Sequence, residues 1–464
     1  MKKIVIALVL ILSTSIGYGQ DITGQWNGKL EAMKLRIVIH IEKTDAGYSA
    51  TLDSPDQGAK GIPVSETTFE NEVLHLKMTN LNATFEGAYA DEMFSGTFVQ
   101  NAFEIPLKLQ REAIEKEVSN RPQEPKEPYP YQSEEVTFKN SKAGINLAGT
   151  LTLPANQAKH PVAILISGSG PQDRNEELVG HKPFLVLSDH LTKKGIAVLR
   201  FDDRGVGKST GNFGSATSAD FASDVASAVS YLKTRKEIDI ANIGLIGHSE
   251  GGIIAPMVAS ESADVAFIVL LAGTGIPGDE LLLLQQNLIG SAMGMSEKQL
   301  AHSSKISSEA FKMIANATDA EKLRVDLKKR MAEAINAVPD NELPLGVTKD
   351  EASINMQVDQ LTAPWMMYFI KHDPAKVLQK VSCPILAVNG EKDLQVPPKE
   401  NLEPIKAAAM KGGNNNVTTI EFPNLNHLFQ ECQTGAPGEY GLIEQTFAPT
   451  ALETVSNWVL EQVK

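Results

Sequence analysis

NIGLIGHSEGGIIAPMVAS, running from Asn242 to Ser260, places a serine between small-residue turns just where an apolar run ends. Ahead of Ser249, the run Ile243-Gly244-Leu245-Ile246 is short and rich in branched side chains, as a buried strand should be. Behind it, Ile253 to Ala259 predicts a helix packed against that strand. Gly247 and Gly251 stand two residues either side of the serine, permitting a turn too tight for larger side chains. A strand-to-helix turn of the form Gly-x-Ser-x-Gly holds a hydroxyl out for attack. Taken alone, the spacing also allows a plain strand–helix turn with an incidental serine. The rest of the chain has to decide.

At 464 residues the chain has room for a large domain and a smaller one. Its 42% hydrophobic and 22% charged residues are ordinary for a globular protein. A formal charge of −14, with no basic stripe interleaved with aromatics, excludes nucleic acid as a partner. The N-terminus is different in kind. Met1-Lys2-Lys3 and the apolar IVIALVLILSTSIGYGQ read as a signal peptide over residues 1–19, cleaved near Gly19/Gln20. The apolar run is short for a bilayer span, so export to the periplasm or beyond is expected, without stable membrane insertion. Cys383 and Cys432 fit no disulfide-framework or metal spacing. One bridge between them or two buried free thiols both remain open.

Residues 20–111 alternate with a period of two, as in Leu35-Ile37-Ile39-Ile41 and Leu74-Leu76-Met78, and turn residues separate the runs. A small all-β domain, barrel or sandwich, is expected, with no catalytic constellation in it. Residues 112–133 carry four prolines and many charges and read as an extended linker. From 134 to 464, strand-like and helical segments alternate, implying an α/β domain with a mostly parallel sheet covered on both faces. Between about 275 and 380 only helical patterning appears, which suits a cap inserted over a site. Its closing stretch APWMMYFIKHDP offers Trp365, Met366 and Phe369 as candidate pocket-lining groups, or simply as packing of the insertion onto the core.

A serine needs a base to remove its proton and an acid to orient that base. PILAVNGEKDLQVP presents Asp393 after a strand, with Glu391 nearby, and EFPNLNHLFQ presents His427 after the next. Asp393 is preferred to Glu391 for its short arm and its place deeper in the loop. His248 adjoins the serine, but its place in the turn directs its side chain elsewhere, and His181, His190 and His372 lie before or within helices, with no strand end to place them. The order Ser249, Asp393, His427 makes these the candidate catalytic residues. An oxyanion requires aimed N–H donors. The backbone N–H of Glu250 is one, and that of Ser169, in the glycine-rich turn ISGSGPQDRN, is the other. The Lys of a phosphate-binding loop is absent from this turn. No cluster has metal-ligand spacing, so no metal or cofactor is expected.

GSGPQDR, FDDRGVGKS, GHSEGG, NGEKD and LNHLF occur in that order, and together they are more specific than any one. Residues from about 135 to 464 resemble the α/β-hydrolase superfamily, and are most similar to bacterial carboxylesterases grouped beside serine aminopeptidase-like hydrolases. The resemblance implies that Asp203-Arg204-Gly205 forms a structural turn supporting the serine turn. Ser167-Gly168-Ser169-Gly170 departs from the family's turn beginning His-Gly, which leaves the second oxyanion donor open. The leading expectation is hydrolysis of small-molecule carboxylic esters through an acyl-enzyme on Ser249. A serine peptidase, of aminopeptidase or prolyl type, would use the same triad but want a carboxylate for the substrate's amine. Glu280 and Glu309 are candidates that nothing in the sequence singles out. A secreted binding module acting through the β-domain is a third expectation, disfavoured by the intact triad.

Overall fold

The computed structural model describes residues 21–464 apart from 32–34, 58, 82, 101–102, 116–119 and 157. The leader expected at 1–19 lies outside the described residues. Among the described residues, no helix is long and apolar enough to cross a membrane.

The alternating N-terminal segment forms nine antiparallel strands: β1 (Gly24–Leu30), β2 (Leu35–Thr44), β3 (Gly47–Ser54), β4 (Ala59–Val64), β5 (Glu66–Glu70), β6 (Val73–Met78), β7 (Ala83–Ala90), β8 (Met93–Gln100) and β9 (Phe103–Gln110). They lie in one sheet, ordered β4-β3-β2-β1-β9-β8-β7-β6-β5. The edge strands β4 and β5 are joined through Ser65 alone, so the sheet curls back on itself as a barrel does. Period-two alternation sends one face inward, where Trp26, Phe85, Phe94, Leu74 and Ile39 fill the interior.

The segment expected as an extended linker, residues 112–133, makes contacts of its own. From Arg121 onward it is docked on the second domain. The Arg121 guanidinium donates to the carbonyls of Val179, Gly180, Gly441 and Ile443. The Gln123 side chain bonds the backbone at Thr446 and Phe447, and Tyr131 donates to Asp189 at 3.0 Å. Prolines keep this segment extended, and its polar side chains satisfy loop carbonyls that would otherwise lack donors.

The second domain begins with the hairpin β10 (Gln132–Asn140) and β11 (Ile145–Leu153) and then alternates: β12 (His160–Ile166), α1 (Pro183–Lys193), β13 (Ala197–Phe201), α2 (Ser218–Leu232), β14 (Ile238–His248), α3 (Gly251–Ala259) and β15 (Phe267–Leu271). Six helices follow as an insertion: α4 (Gly278–Ala292), α5 (Glu297–Asn316), α6 (Ala320–Asn336), α7 (Glu351–Leu361), α8 (Pro364–Lys371) and α9 (Pro374–Leu378). The chain then closes with β16 (Ile385–Gly390), α10 (Pro398–Lys411), β17 (Val417–Phe422) and α11 (Pro449–Gln462). The eight strands order as β10-β11-β13-β12-β14-β15-β16-β17, and from β13 to β17 every pairing is parallel. Buried clusters lie on both faces of this sheet, which is why its strands read as continuous apolar runs. The helical insertion has a core of its own around Leu327, Ile314 and Ile335. Cys383 and Cys432 are both free thiols.

Candidate active site

Ser249 follows directly on the last residue of β14 and takes φ +52°. For a residue with a Cβ this left-handed conformation is strained, and neighbouring backbones hold it. A Cβ on Gly251 would come within 2.2 Å of the Ile166 carbonyl oxygen, and one on Gly247 within 2.0 Å of the Gly251 carbonyl. Only glycines let β12, the turn and α3 approach so closely. The Ser249 N–H is anchored at 2.9 Å on the Leu271 carbonyl of β15.

Asp393 and His427 are brought together as the sequence predicts. His427 Nδ1 lies 2.7 Å from Asp393 Oδ2, with both side chains almost wholly buried. The other carboxylate oxygen accepts the N–H groups of Gln395 and Val396, each at 2.8 Å. Asp393 is therefore fixed before it orients anything. With Nδ1–H committed to the carboxylate, Nε2 is left as the basic nitrogen. Glu391 is exposed and instead accepts the Asn424 N–H. His181 is packed between Thr446 and the Tyr440 carbonyl, and burial lowers its pKa to about 4.

A cavity sits over the serine. It is bordered by Ser249, Ser169 and Glu250 below, and by Leu281, Trp365 and Phe369 of the insertion above. Among the described residues, neither the Ser169 N–H nor the Glu250 N–H has a hydrogen-bond partner. Both residues border the cavity together with Ser249. Trp365 and Phe369 border the cavity as expected and stack with ring centroids 5.3 Å apart. Met366 does not. It packs into the insertion's own core, because a helix turns roughly 100° per residue and α8 aims positions 365 and 369 the same way. Glu280 is exposed, and Glu309 pairs with Arg330 at 2.7 Å.

Three buried carboxylates were not assigned to the site by the sequence. The Glu250 side chain accepts Ser218 Oγ–H at 2.6 Å and the Trp365 indole N–H at 2.7 Å, and its burial raises its pKa. Glu176 accepts the Gly168 N–H at 2.6 Å and lies 2.9 Å from His248 Nδ1. Asp203 accepts Ser167 Oγ–H at 2.8 Å and the Gln172 N–H at 2.9 Å. The expectation that residues 203–205 brace the serine turn is thereby refined. Asp203 holds the glycine-rich turn, while Arg204 reaches Asp224 of α2 at 2.7 Å.

A family model described as serine aminopeptidase, S33 matches residues 183–431, a span that holds Ser249, Asp393 and His427. The chain is similar to the esterase EstD of Thermotoga maritima, 25% identical over 293 residues, which are 63% of this chain and 60% of that protein. The aligned part thus spans less than two thirds of that relative's length. An uncharacterized 31.7 kDa protein of Escherichia coli, from the traX-finO intergenic region, is 26% identical over 264 residues, 56% of this chain and 82% of its own. Among solved structures, the esterase Pf2001 of Pyrococcus furiosus is 16% identical with a TM-score of 0.41, covering 71% of this chain and 93% of that one.

Asp203 makes a prediction about stability. Burial pushes its carboxyl up to about 7, helped by the nearby Glu250 and Glu176 and opposed by its two hydrogen bonds. The native state therefore holds a proton that the unfolded chain, titrating near 3.8, has lost. This group's contribution is full below about pH 4 and is lost as pH rises to about 7. Asp203→Asn stays neutral throughout, so its stability relative to wild type should climb by up to ~4 kcal/mol across that window. Urea unfolding at several pH values checks this, and a difference that stays flat from pH 4 to 7 would contradict it.

Proposed function

Because this chain belongs to the serine aminopeptidase S33 family of α/β-hydrolases, we propose that it hydrolyses carboxylic esters through an acyl-enzyme on Ser249. The observation that carries this reading is the buried 2.7 Å pair of Asp393 and His427, whose histidine carbonyl lies 3.0 Å from Nε2 of His248, the residue before a serine held at positive φ. His427 Nε2 takes the Ser249 proton as Oγ attacks the ester carbonyl. The oxyanion accepts the Glu250 and Ser169 N–H groups, each of which is worth about 10²- to 10³-fold in rate. The imidazolium, stabilised by Asp393, then protonates the departing alkoxide. Water enters, gives its proton to His427 and attacks the acyl carbon. Collapse of the second intermediate returns the proton to Ser249 and releases the acid. The six-helix insertion serves as the cap, and its apolar wall of Leu281, Trp365 and Phe369 suits an acyl chain at roughly 25 cal/mol per Å² buried.

Ser249→Ala should therefore lose at least about 10⁴-fold in kcat on p-nitrophenyl esters while unfolding at nearly the wild-type temperature. Retention of more than about a hundredth of the activity would sink the assignment.

Peptidase action is the second reading, and one observation favours it. The carboxylate at the cavity comes from Glu250, beside the serine, rather than from the insertion. Against it, Glu250 Oε1 already accepts Ser218 Oγ–H and the Trp365 indole N–H, and burial raises the pKa of the carboxyl. Glu250→Gln separates the two. On the ester reading, acyl esters stay far better substrates than aminoacyl-anilides in the wild type, and the variant changes kcat/KM for both classes alike. A preference for anilides with a free amino terminus, lost at least tenfold in Glu250→Gln alone, would establish the peptidase.

Export completes the proposal, supported by the basic, apolar and small-residue order of residues 1–19. N-terminal sequencing of protein secreted by a bacterial host should begin near Gln20. An intact Met1 on cell-retained protein would contradict it.

A further inference from the structure

Behind the proposed triad lies a second histidine–carboxylate pair that the mechanism does not use. Glu176 is 4% exposed and sits at φ +52°, and His248 is 7% exposed. Glu176 Oε1 accepts the Gly168 N–H at 2.6 Å, one residue before the proposed oxyanion donor Ser169. The same oxygen lies 2.9 Å from His248 Nδ1, one residue before the nucleophile. His248 Nε2 lies 3.0 Å from the backbone carbonyl oxygen of His427, the proposed base. The rings of His248 and His427 stand 4.8 Å apart. One short chain of bonds thus touches the oxyanion turn, the serine turn and the histidine loop, each next to its working group.

The chemistry of the two ends is informative. A carbonyl oxygen only accepts, so His248 must present Nε2–H to His427. A carboxylate oxygen already accepting an amide N–H also favours a donor, so His248 is best satisfied when it carries both protons. Burial opposes that charge, yet Glu176 and the His427 carbonyl outweigh it, and the pKa of His248 is raised. A buried ion pair of this kind fixes geometry more surely than it adds stability.

We propose that Glu176 and His248 are positioning residues, which together set the Ser169 donor and the His427 imidazole relative to Ser249. This rests on the serine-hydrolase reading above. Neither side chain borders the cavity, so their loss should slow the chemical steps while leaving substrate binding nearly alone.

The test compares wild type with Glu176→Gln and Glu176→Ala on one short-chain p-nitrophenyl ester, and measures the rate at which a p-nitrophenyl phosphonate inactivates each. Glu176→Gln keeps an acceptor for Gly168 but lacks the charge that holds the second proton on His248. We expect kcat to fall about 10-fold in Glu176→Gln and about 100-fold in Glu176→Ala, with KM within about threefold and phosphonylation slowed in parallel. Should Glu176→Ala fail to fold, the isosteric Glu176→Gln carries the test by itself. A folded Glu176→Gln with kcat within twofold of wild type overturns the proposal, as does a rise in KM at unchanged kcat. A wild type that hydrolyses no ester would overturn the parent reading and this one with it. An active wild type beside an unaffected variant overturns this one alone.

Discussion

At the end of β14 the chain has to reverse within contact of other backbones. Gly251 faces the Ile166 carbonyl of β12, Gly252 faces Gly273 after β15, and Gly247 faces the start of α3. No side chain fits in any of these gaps. The strain of Ser249 at φ +52° is tolerable because the parallel ladders on both sides of β14 over-determine its end. The glycine-rich turn has to follow β12, and the loops bearing Asp393 and His427 have to follow β16 and β17. All of them then open at the carboxyl edge of one sheet, where ligands of such folds gather.

Electrostatics completes what the backbone starts. Glu176, Asp203 and Glu250 are buried around a turn with few cations near it, an arrangement that costs stability unless hydrogen bonds are supplied. They are supplied by Gly168, Ser167, Gln172, Ser218 and Trp365. Trp365 borders the cavity, and Ser167 and Gly168 lie in the turn just before Ser169, so much of the polar wiring around the site consists of acids holding loops. Trp365 extends that wiring into the insertion, tying it to Glu250, the residue after Ser249.

Local patterns made much of this legible. The serine turn, the acid loop and the histidine loop each follow a strand, and each carries its signal within about ten residues. The run Ile243–Ile246 lies within β14 and the helix expected from Ile253 to Ala259 within α3, because apolar runs end at polar turns. What was hidden depends on distance in sequence. Glu176 and His248 are 72 residues apart, and NEE after Arg174 looks like a solvated loop. Met366 was left open between pocket and packing because an apolar stretch was read without its helical phase, and it packs in the insertion. The contacts of the linker were hidden for the same reason, because Arg121 meets its acceptors more than 50 residues away.

The central claim is a covalent bond to one oxygen atom, and it can be observed directly. Acid quenching during turnover of a p-nitrophenyl ester, followed by peptide mass mapping, should place the acyl mass on the peptide containing Ser249. A burst of nitrophenol equal to the enzyme concentration should accompany it where deacylation is the slower step. Steady ester turnover with no covalent species, or with the acyl group on another residue, would contradict the account.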